Sequence, residues 1–302
     1  MPPPARSRLP LAAVAVTLLL WASAFVAIRH LGGSFSPGAL SLGRLVVGAI
    51  ALGVVMLVRG ARRPTRADWP RLIAIGVLWY GIYNVSLNAG ELRIDAGTAA
   101  LLIQLSPVLV AVLAAVFLGE RATVWLGVGL VLALGGVVLI AFATSPGGHY
   151  DPLGVLLCLV AAAAYSVAMI VQKPLMSRLP ALEVTWLACT IGAAVCLPFL
   201  GQLVSEARAA GPADLAWVVY LGLFPTAVAF TTYAYALTHM DAGRLSVTTY
   251  LVPPLTVLMA WLVLGETPPD AAYAGGALCL LGVWVARRRG GPKQRVEEGV
   301  PA

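Results

Sequence analysis

The chain has 302 residues, 60% of them hydrophobic and 11% charged, with a net charge of +7 and a mean hydropathy of +0.90. A soluble globule or a disordered chain of this length needs far more polar surface. The positive charge is scattered between apolar stretches, not gathered into a basic patch, so it is not a nucleic-acid signature.

The apolar residues form ten runs of about twenty: 9–28, 37–58, 70–88, 96–118, 123–142, 153–171, 182–203, 213–237, 244–264 and 271–286. A helix of about twenty residues crosses about 30 Å of hydrocarbon. Continuous apolarity, without alternation, predicts helices and not barrel strands. In chain order, Arg6 and Arg8 precede the first run, as in a secretion signal. That run is longer than a signal's apolar core, and its Trp21-Ala22-Ser23-Ala24-Phe25 has a counterpart in the second half, so it reads as a retained helix. The second run holds Arg44, the only charge well inside a predicted helix and seven residues from its start, which is about 10 Å deep. Such a charge either faces a polar interior, where it would bind a substrate carboxylate or carbonyl, or it snorkels outward or ties helix ends together through backbone carbonyls. The third run offers Tyr80, Asn84 and Asn88, the two asparagines one turn apart on one face.

Asp95, before the fourth run, and Asp241, before the ninth, read as helix caps. The fourth run carries Gln104, Ser106 and Pro107 near its middle and ends at Glu120; the ninth carries Thr248, Thr249, Tyr250, Pro253 and Pro254 and ends at Glu266. Proline frees the carbonyl one turn earlier, here those of Ile103 and Thr249, so Pro107 and Pro253 are hinge candidates whose freed carbonyls would line a cavity, or simple kinks. Glu120 and Glu266 are candidates for gate ion pairs or proton carriers, or plain interfacial anchors. The remaining polar residues are Trp21 and Ser23 in the first run, Tyr165 and Ser166 in the sixth, Trp186 in the seventh, and Thr231, Thr232 and Tyr235 in the eighth, where Pro225 adds a break. Polar side chains avoid lipid and point at neighbouring helices or a wet cavity. The longest connections are expected at 59–69 and 204–212, which leaves no room for a soluble domain.

Residues 96–120 and 242–266 are copies at a constant offset of 146, and the offset extends to Asp95 with Asp241 and to Gly129, Gly136 and Val137 with Gly275, Gly282 and Val283. Those glycines lie on one face of the fifth and tenth runs, suited to close packing within one subunit first and to a homodimer second. Five helices per half is odd, so the second half enters the bilayer upside down, the geometric basis of alternating access. With the N-terminus inside, the inner segments hold Arg6, Arg8, Arg59, Arg62, Arg63, Arg66, Arg71, Arg121, Lys173, Arg178, Arg244, Arg287, Arg288, Arg289, Lys293 and Arg295; the outer ones hold only Arg29, Arg93 and Arg208. That asymmetry predicts cytoplasmic termini, with the lipid bilayer itself the partner of the basic clusters.

These residues resemble the drug/metabolite transporter superfamily, in particular the ten-helix kind built from two EamA domains. The resemblance rests on Leu20-Trp21-Ala22-Ser23-Ala24-Phe25-Val26, Arg44, Ser106-Pro107-Val108 leading to Leu118-Gly119-Glu120, Tyr233-Ala234-Tyr235-Ala236-Leu237, and Tyr250-Leu251-Val252-Pro253 leading to Leu264-Gly265-Glu266. It implies an all-α membrane protein of ten transmembrane helices in two inverted five-helix repeats. One EamA repeat covers 9–142 and the other 151–286, followed by a basic, then acidic, cytoplasmic tail at 287–302. It also implies a transporter in the inner membrane, with the substrate path among the helices that hold the polar set. Two departures stand out: Trp21-Ala22 where the family often has Trp-Gly, and no basic partner to Arg44 in the seventh run, which reads Trp186-Leu187-Ala188-Cys189-Thr190.

Several chemistries are absent. No Gly-x-x-x-x-Gly-Lys-Ser/Thr loop supports a primary pump. His30, His149 and His239 are scattered, and Cys158, Cys189, Cys196 and Cys279 sit inside helices without metal spacing, so no metal site, cofactor or catalytic set is expected. No carboxylate lies deep within any predicted span, which counts against lipophilic-cation export, and one arginine is too few for a phosphorylated substrate. The expected substrate is a small neutral or zwitterionic metabolite, an amino acid suiting best. Export of drugs, nucleobases or vitamins, and a non-transporting membrane partner protein, are the alternatives. The sequence distinguishes neither proton antiport from facilitated diffusion nor monomer from dimer.

Overall fold

The computed structural model describes residues 9–60, 64–117, 124–141, 151–239, 245 and 248–286. They are helical, with no strand among the described residues: α1 Leu9–Leu31, α2 Pro37–Arg59, α3 Trp69–Glu91, α4 Ala96–Ile103, α5 Ser106–Phe117, α6 Val124–Ala141, α7 Pro152–Ser177, α8 Ala181–Val195, α9 Leu197–Ala209, α10 Pro212–His239, α11 Val252–Leu264 and α12 Asp270–Ala286. Among the described residues, α1, α2, α3, α7 and α10 are long and apolar enough to cross a membrane. The pair α8 and α9, bent by 53°, makes up to a sixth span.

Several boundaries differ from the sequence reading. The run at 96–118 is broken at Gln104–Leu105, which form 3-10-like turns, so Pro107 sits in the first turn of α5 and not in the middle of one helix. Pro253 likewise occupies the first turn of α11, behind a 3-10 turn at Thr249–Leu251. This is where proline's missing N–H costs nothing. Residues 204–209, expected as loop, are helical; the bend falls earlier, at Cys196 and Pro198, through a 3-10 turn. Glu120 and Asp241 lie outside the described residues.

Ion pairs mark the two ends of the bundle. At one end Arg29 meets Glu266 (2.9 Å), Arg93 meets Asp151 (3.0 Å), and Asp214 accepts from the Ser34 hydroxyl (2.6 Å). At the other end Arg178 meets Asp68 (3.2 Å). Helices α1 and α3 therefore run toward the Arg29 end, whereas α7 and α10 start there.

The deepest packing rests on glycines that recur at matching positions. α3 contains a π-helical segment at Gly76–Tyr83, and α10 another at Gly222–Val228, starting 146 residues later. A Cβ on Gly76 would lie 3.0 Å from the Ala188 carbonyl of α8, and one on Gly222 2.7 Å from the Arg44 carbonyl of α2. In return, Gly192 of α8 faces the Gly76 carbonyl and Gly48 of α2 faces the Gly222 carbonyl, each at 3.2 Å. The wide π turns free carbonyls, and side chains take them up. Asn84 Nδ2 donates to the Tyr80 (2.9 Å) and Trp79 (3.2 Å) carbonyls, and the Thr226 hydroxyl donates to that of Leu221 (2.8 Å).

α6 and α12 pair chiefly with each other. Gly136 lies against the Gly275 carbonyl and Cys279, while Gly282 lies against the Gly129 carbonyl and Ala133. Cys279 also donates to the Ala133 carbonyl at 3.2 Å. The glycine faces are thus used within one chain. Gly136→Ala drives a methyl into the α12 backbone and is expected to cost about 1–3 kcal/mol. Gly127→Ala, where a Cβ meets nothing within 4 Å, is expected to be neutral or stabilising by up to about 1 kcal/mol. In detergent the thermal unfolding midpoint of Gly136→Ala should fall below wild type while that of Gly127→Ala stays at or above it, and equal midpoints for the two variants would refute the close contact.

Candidate functional site

The centre of the bundle is an aromatic cluster. Trp21 of α1 packs on Phe230 and Tyr233 of α10, with ring centroids 5.8 and 4.8 Å apart. Trp79 packs on Tyr80, Tyr165 and Phe230 at 5.8, 5.1 and 5.0 Å. Tyr80 reaches Phe230 and Tyr83 reaches Tyr165, and the Tyr165 and Tyr233 hydroxyls lie 3.3 Å apart. Trp21, Tyr80 and Tyr165, site candidates from the sequence, therefore sit together with Tyr233, which the sequence shows only as part of a family motif, and with Trp79, Tyr83 and Phe230, which it does not single out. The Trp21 indole N–H is buried without an acceptor among the described residues, a donor left over in the middle of the cluster.

Arg44 is 3% exposed and donates from Nε to the Thr226 hydroxyl at 3.1 Å. It does not snorkel. The π segment of α10 supplies its partner, because the widened turn carries Thr226 on the face that meets α2. One turn along α2, Ser41 accepts from Asn88 Nδ2 (2.9 Å), which also reaches the Pro37 carbonyl (3.3 Å).

The other singled-out residues have local duties. Gln104 donates to the Thr249 carbonyl (2.9 Å) and Ser106 to the Ile103 carbonyl (2.7 Å), so both proline-freed carbonyls are already taken. Thr232 joins Thr17 of α1 through a 2.8 Å hydroxyl pair. Trp186 lies against Gly53 of α2, and Tyr235 stacks on His239 at 4.3 Å, apart from the aromatic cluster. The Tyr250 side chain is outside the described residues. Ser23 hydrogen-bonds Tyr220 (2.6 Å) on the wall of a cavity of about 510 Å³ between α1, α10 and α11, whose other walls include Val26, Trp217, Met259 and Val263. That cavity is mostly apolar and does not reach Arg44.

Two carboxylates are buried at helix ends, and neither lies deep within a predicted span. Glu91, the last residue of α3, is 0% exposed, and Glu183, in the first turn of α8, is 1% exposed. The apolar run of α3 ends at Asn88, but helix and burial continue for three more residues. At this end Arg29 holds Glu266 through Nε (2.9 and 3.2 Å) and the main-chain carbonyl of Glu91 through Nη1 (2.9 Å). Asp95 caps α4, accepting from Thr98 N–H (2.8 Å) and hydroxyl (2.6 Å).

Outside the spans, the Thr65 hydroxyl and then its N–H hold the Asp68 carboxyl below the usual carboxylate range, against the cost of burial, with Arg178 and Arg71 adding to them. Asp151 is held low by the Gly154 N–H and by Arg93. A depressed folded pKa gives stability that is present above the unfolded carboxylate value of about 3.9 and lost as pH falls through the folded value. Asp68→Asn is therefore expected to lower stability at neutral pH and to remove part of the loss seen below about pH 4. Unfolding midpoints measured against pH check this, and parallel curves for the two proteins would refute it.

A family model for EamA-like transporters matches residues 9–142 and again 152–288. A probable terminal-alkyne amino-acid exporter of Streptantibioticus cattleyicolor is 39% identical over 279 residues, 92% of this chain and 93% of its own. An uncharacterized transporter of Bacillus subtilis, YdfC, is 33% identical, covering 87% of this chain and 86% of its own. One from Archaeoglobus fulgidus is 31% identical, over 91% and 98%. A crystal structure superposes with a TM-score of 0.65 at 25% identity, over 94% of this chain and 97% of the other.

Proposed function

The chain belongs to the EamA-like transporter family and is a multi-pass membrane transporter, and from that premise we propose that it exports small neutral or zwitterionic metabolites, amino acids foremost, across the inner membrane by alternating access. On this reading it is a secondary transporter and not an enzyme. It has ten crossings in two inverted five-helix halves and both termini in the cytoplasm.

The observation that carries the reading is the antiparallel relation of matching parts. The π segments of α3 and α10 begin 146 residues apart, yet α3 runs toward the Arg29 end and α10 away from it. Each π segment packs on the counterpart of the other's neighbour, α8 for α3 and α2 for α10. Halves related in this way support two shapes of similar energy, one open to each side. The scattered basic residues support the orientation, 16 on the side of the termini against three on the other.

Arg44 supports the substrate class. It is one buried guanidinium beside an aromatic cluster, with a neutral hydroxyl as its hydrogen-bond partner, and it fits a solute with one carboxylate and an apolar side chain. The exporter from Streptantibioticus cattleyicolor is named for an amino-acid substrate. Export of apolar drugs is the second reading, favoured by the apolar cavity between α1, α10 and α11.

Purified protein in liposomes, offered labelled neutral amino acids, is expected to give saturable flux. A hydrogen-bonded charge contributes about 1.5–3 kcal/mol, so Arg44→Ala should weaken apparent affinity by about tenfold to a hundredfold. Arg44→Lys, which keeps charge but loses the planar fork, should fall between. Equal flux in wild type and Arg44→Ala would remove the residue from the site. No flux of any amino acid, with efflux of an apolar dye, would favour the second reading, and no flux at all a non-transporting partner protein.

A further inference from the structure

Among the described residues, four buried side-chain oxygens of α3 have no hydrogen-bond donor: Asn84 Oδ1, Asn88 Oδ1 and both carboxylate oxygens of Glu91. Spacings of four and three residues put them on one helix face. The amide orientations are fixed by their partners. Asn84 Nδ2 faces two carbonyls and Asn88 Nδ2 faces the Pro37 carbonyl, places where an amide oxygen would meet another acceptor. The row therefore lacks a donor. Glu91 also ends its helix, where the helix dipole opposes a negative charge.

The titratable and charged groups that face Glu91 are Arg29 of α1, Arg44 of α2, Tyr83 of α3 itself, Asp95 before α4, Cys158 of α7 and Glu266 after α11. Arg29 gives Nε to Glu266 and only Nη1 to the Glu91 main chain. Arg44 gives Nε to Thr226, and Asp95 is taken up by Thr98. None of these bonds reaches the Glu91 carboxylate. An ionised, unpaired carboxylate is costly in such a place, whereas one proton removes the charge and supplies the missing donor, with Asn88 Oδ1 one turn away as acceptor.

We propose that Glu91 is the proton-binding site of the transport cycle, protonated in the arrangement seen here, and that its deprotonation draws Arg29 away from Glu266. The proposal rests on the transporter reading. The carboxyl takes its proton from water at the Arg29 end, the outer side. In the step, the Glu91 O–H bond breaks and the proton passes to water on the inner side in the alternate shape, so that a proton enters as a solute leaves. The resulting carboxylate takes the guanidinium that Glu266 held, and the link between α11 and α12 comes free of α1. Substrate export is thereby coupled to a pH gradient at this one carboxyl.

Two measurements on the full-length protein test it. Infrared difference spectra at neutral pH are expected to show a protonated carboxylic-acid C=O band in wild type, no such band in Glu91→Gln, and a displaced band in Glu91→Asp. A band of equal intensity in wild type and Glu91→Gln, or none in wild type, would overturn the proton site. In liposomes with labelled neutral amino acids, wild-type flux is expected to respond to an imposed pH gradient, Glu91→Gln to lose that response, and Glu91→Asp to regain part of it. A response in Glu91→Gln equal to wild type would overturn the coupling. If wild type shows no flux under any condition, the transporter reading falls and the coupling with it, and the infrared band then decides the proton site by itself.

Discussion

The structure depends on one constraint: in hydrocarbon, a backbone carbonyl or amide freed from its helix has no water to turn to. Four departures from regular α-helix in the core are each matched by a side chain that answers it. Asn84 covers the carbonyls released by the π turn in α3, and the Thr226 hydroxyl covers Leu221 where Pro225 interrupts α10. Ser106 and Gln104 cover the carbonyls of Ile103 and Thr249 beside the two proline starts. An uncovered buried polar group costs about 1–3 kcal/mol. Polar residues in these helices are thus first of all the condition for having breaks there.

That constraint gives significance to the groups that are left over. Where so many polar atoms are matched, the Trp21 N–H, the Asn84 and Asn88 oxygens and the Glu91 carboxylate form a short set without protein partners among the described residues. These belong to α1 and α3, and the Thr256 hydroxyl of α11 is a further one. A membrane transporter has to hold its solute by groups that the fold does not consume, and on the proposed reading this set would supply them.

A good part of this is legible in the sequence, for physical reasons. A polar residue in an apolar run has contrast, so Arg44, Asn84, Asn88 and Gln104 stand out by residue type alone. The 146-residue repeat shows the relation of the halves. Glu91 is hidden because it lies three residues past the apolar run, where a hydropathy boundary says nothing about burial. Trp79, Tyr83 and Phe230 are hidden for the opposite reason, since one more aromatic in an apolar helix has no contrast. The π segments leave no mark in composition; only the coincidence of Gly76 and Gly222 at the repeat offset points to them. Pro107 and Pro253 read as mid-helix kinks because the runs around them are unbroken in hydropathy, whereas the backbone restarts at each one.

The halves match in backbone but not in chemistry, and that difference bears on mechanism. With the offset that pairs Gly76 and Gly222, Asn84 corresponds to Phe230, Asn88 to Ala234 and Glu91 to Leu237; with Gly48 paired to Gly192, Arg44 corresponds to Ala188. A perfectly symmetric pair of inverted halves would give two shapes of equal energy, and no occupant would tell them apart. Placing the guanidinium, the two amides and the carboxyl in one half removes that degeneracy. A ligand shifts an equilibrium only by its differential affinity for the two states. On the proposed reading, the glycine contacts shared by both halves would keep the two shapes within reach of each other, and the polar face of α3, with Arg44 beside it, would be where a solute or a proton gains a preference between them.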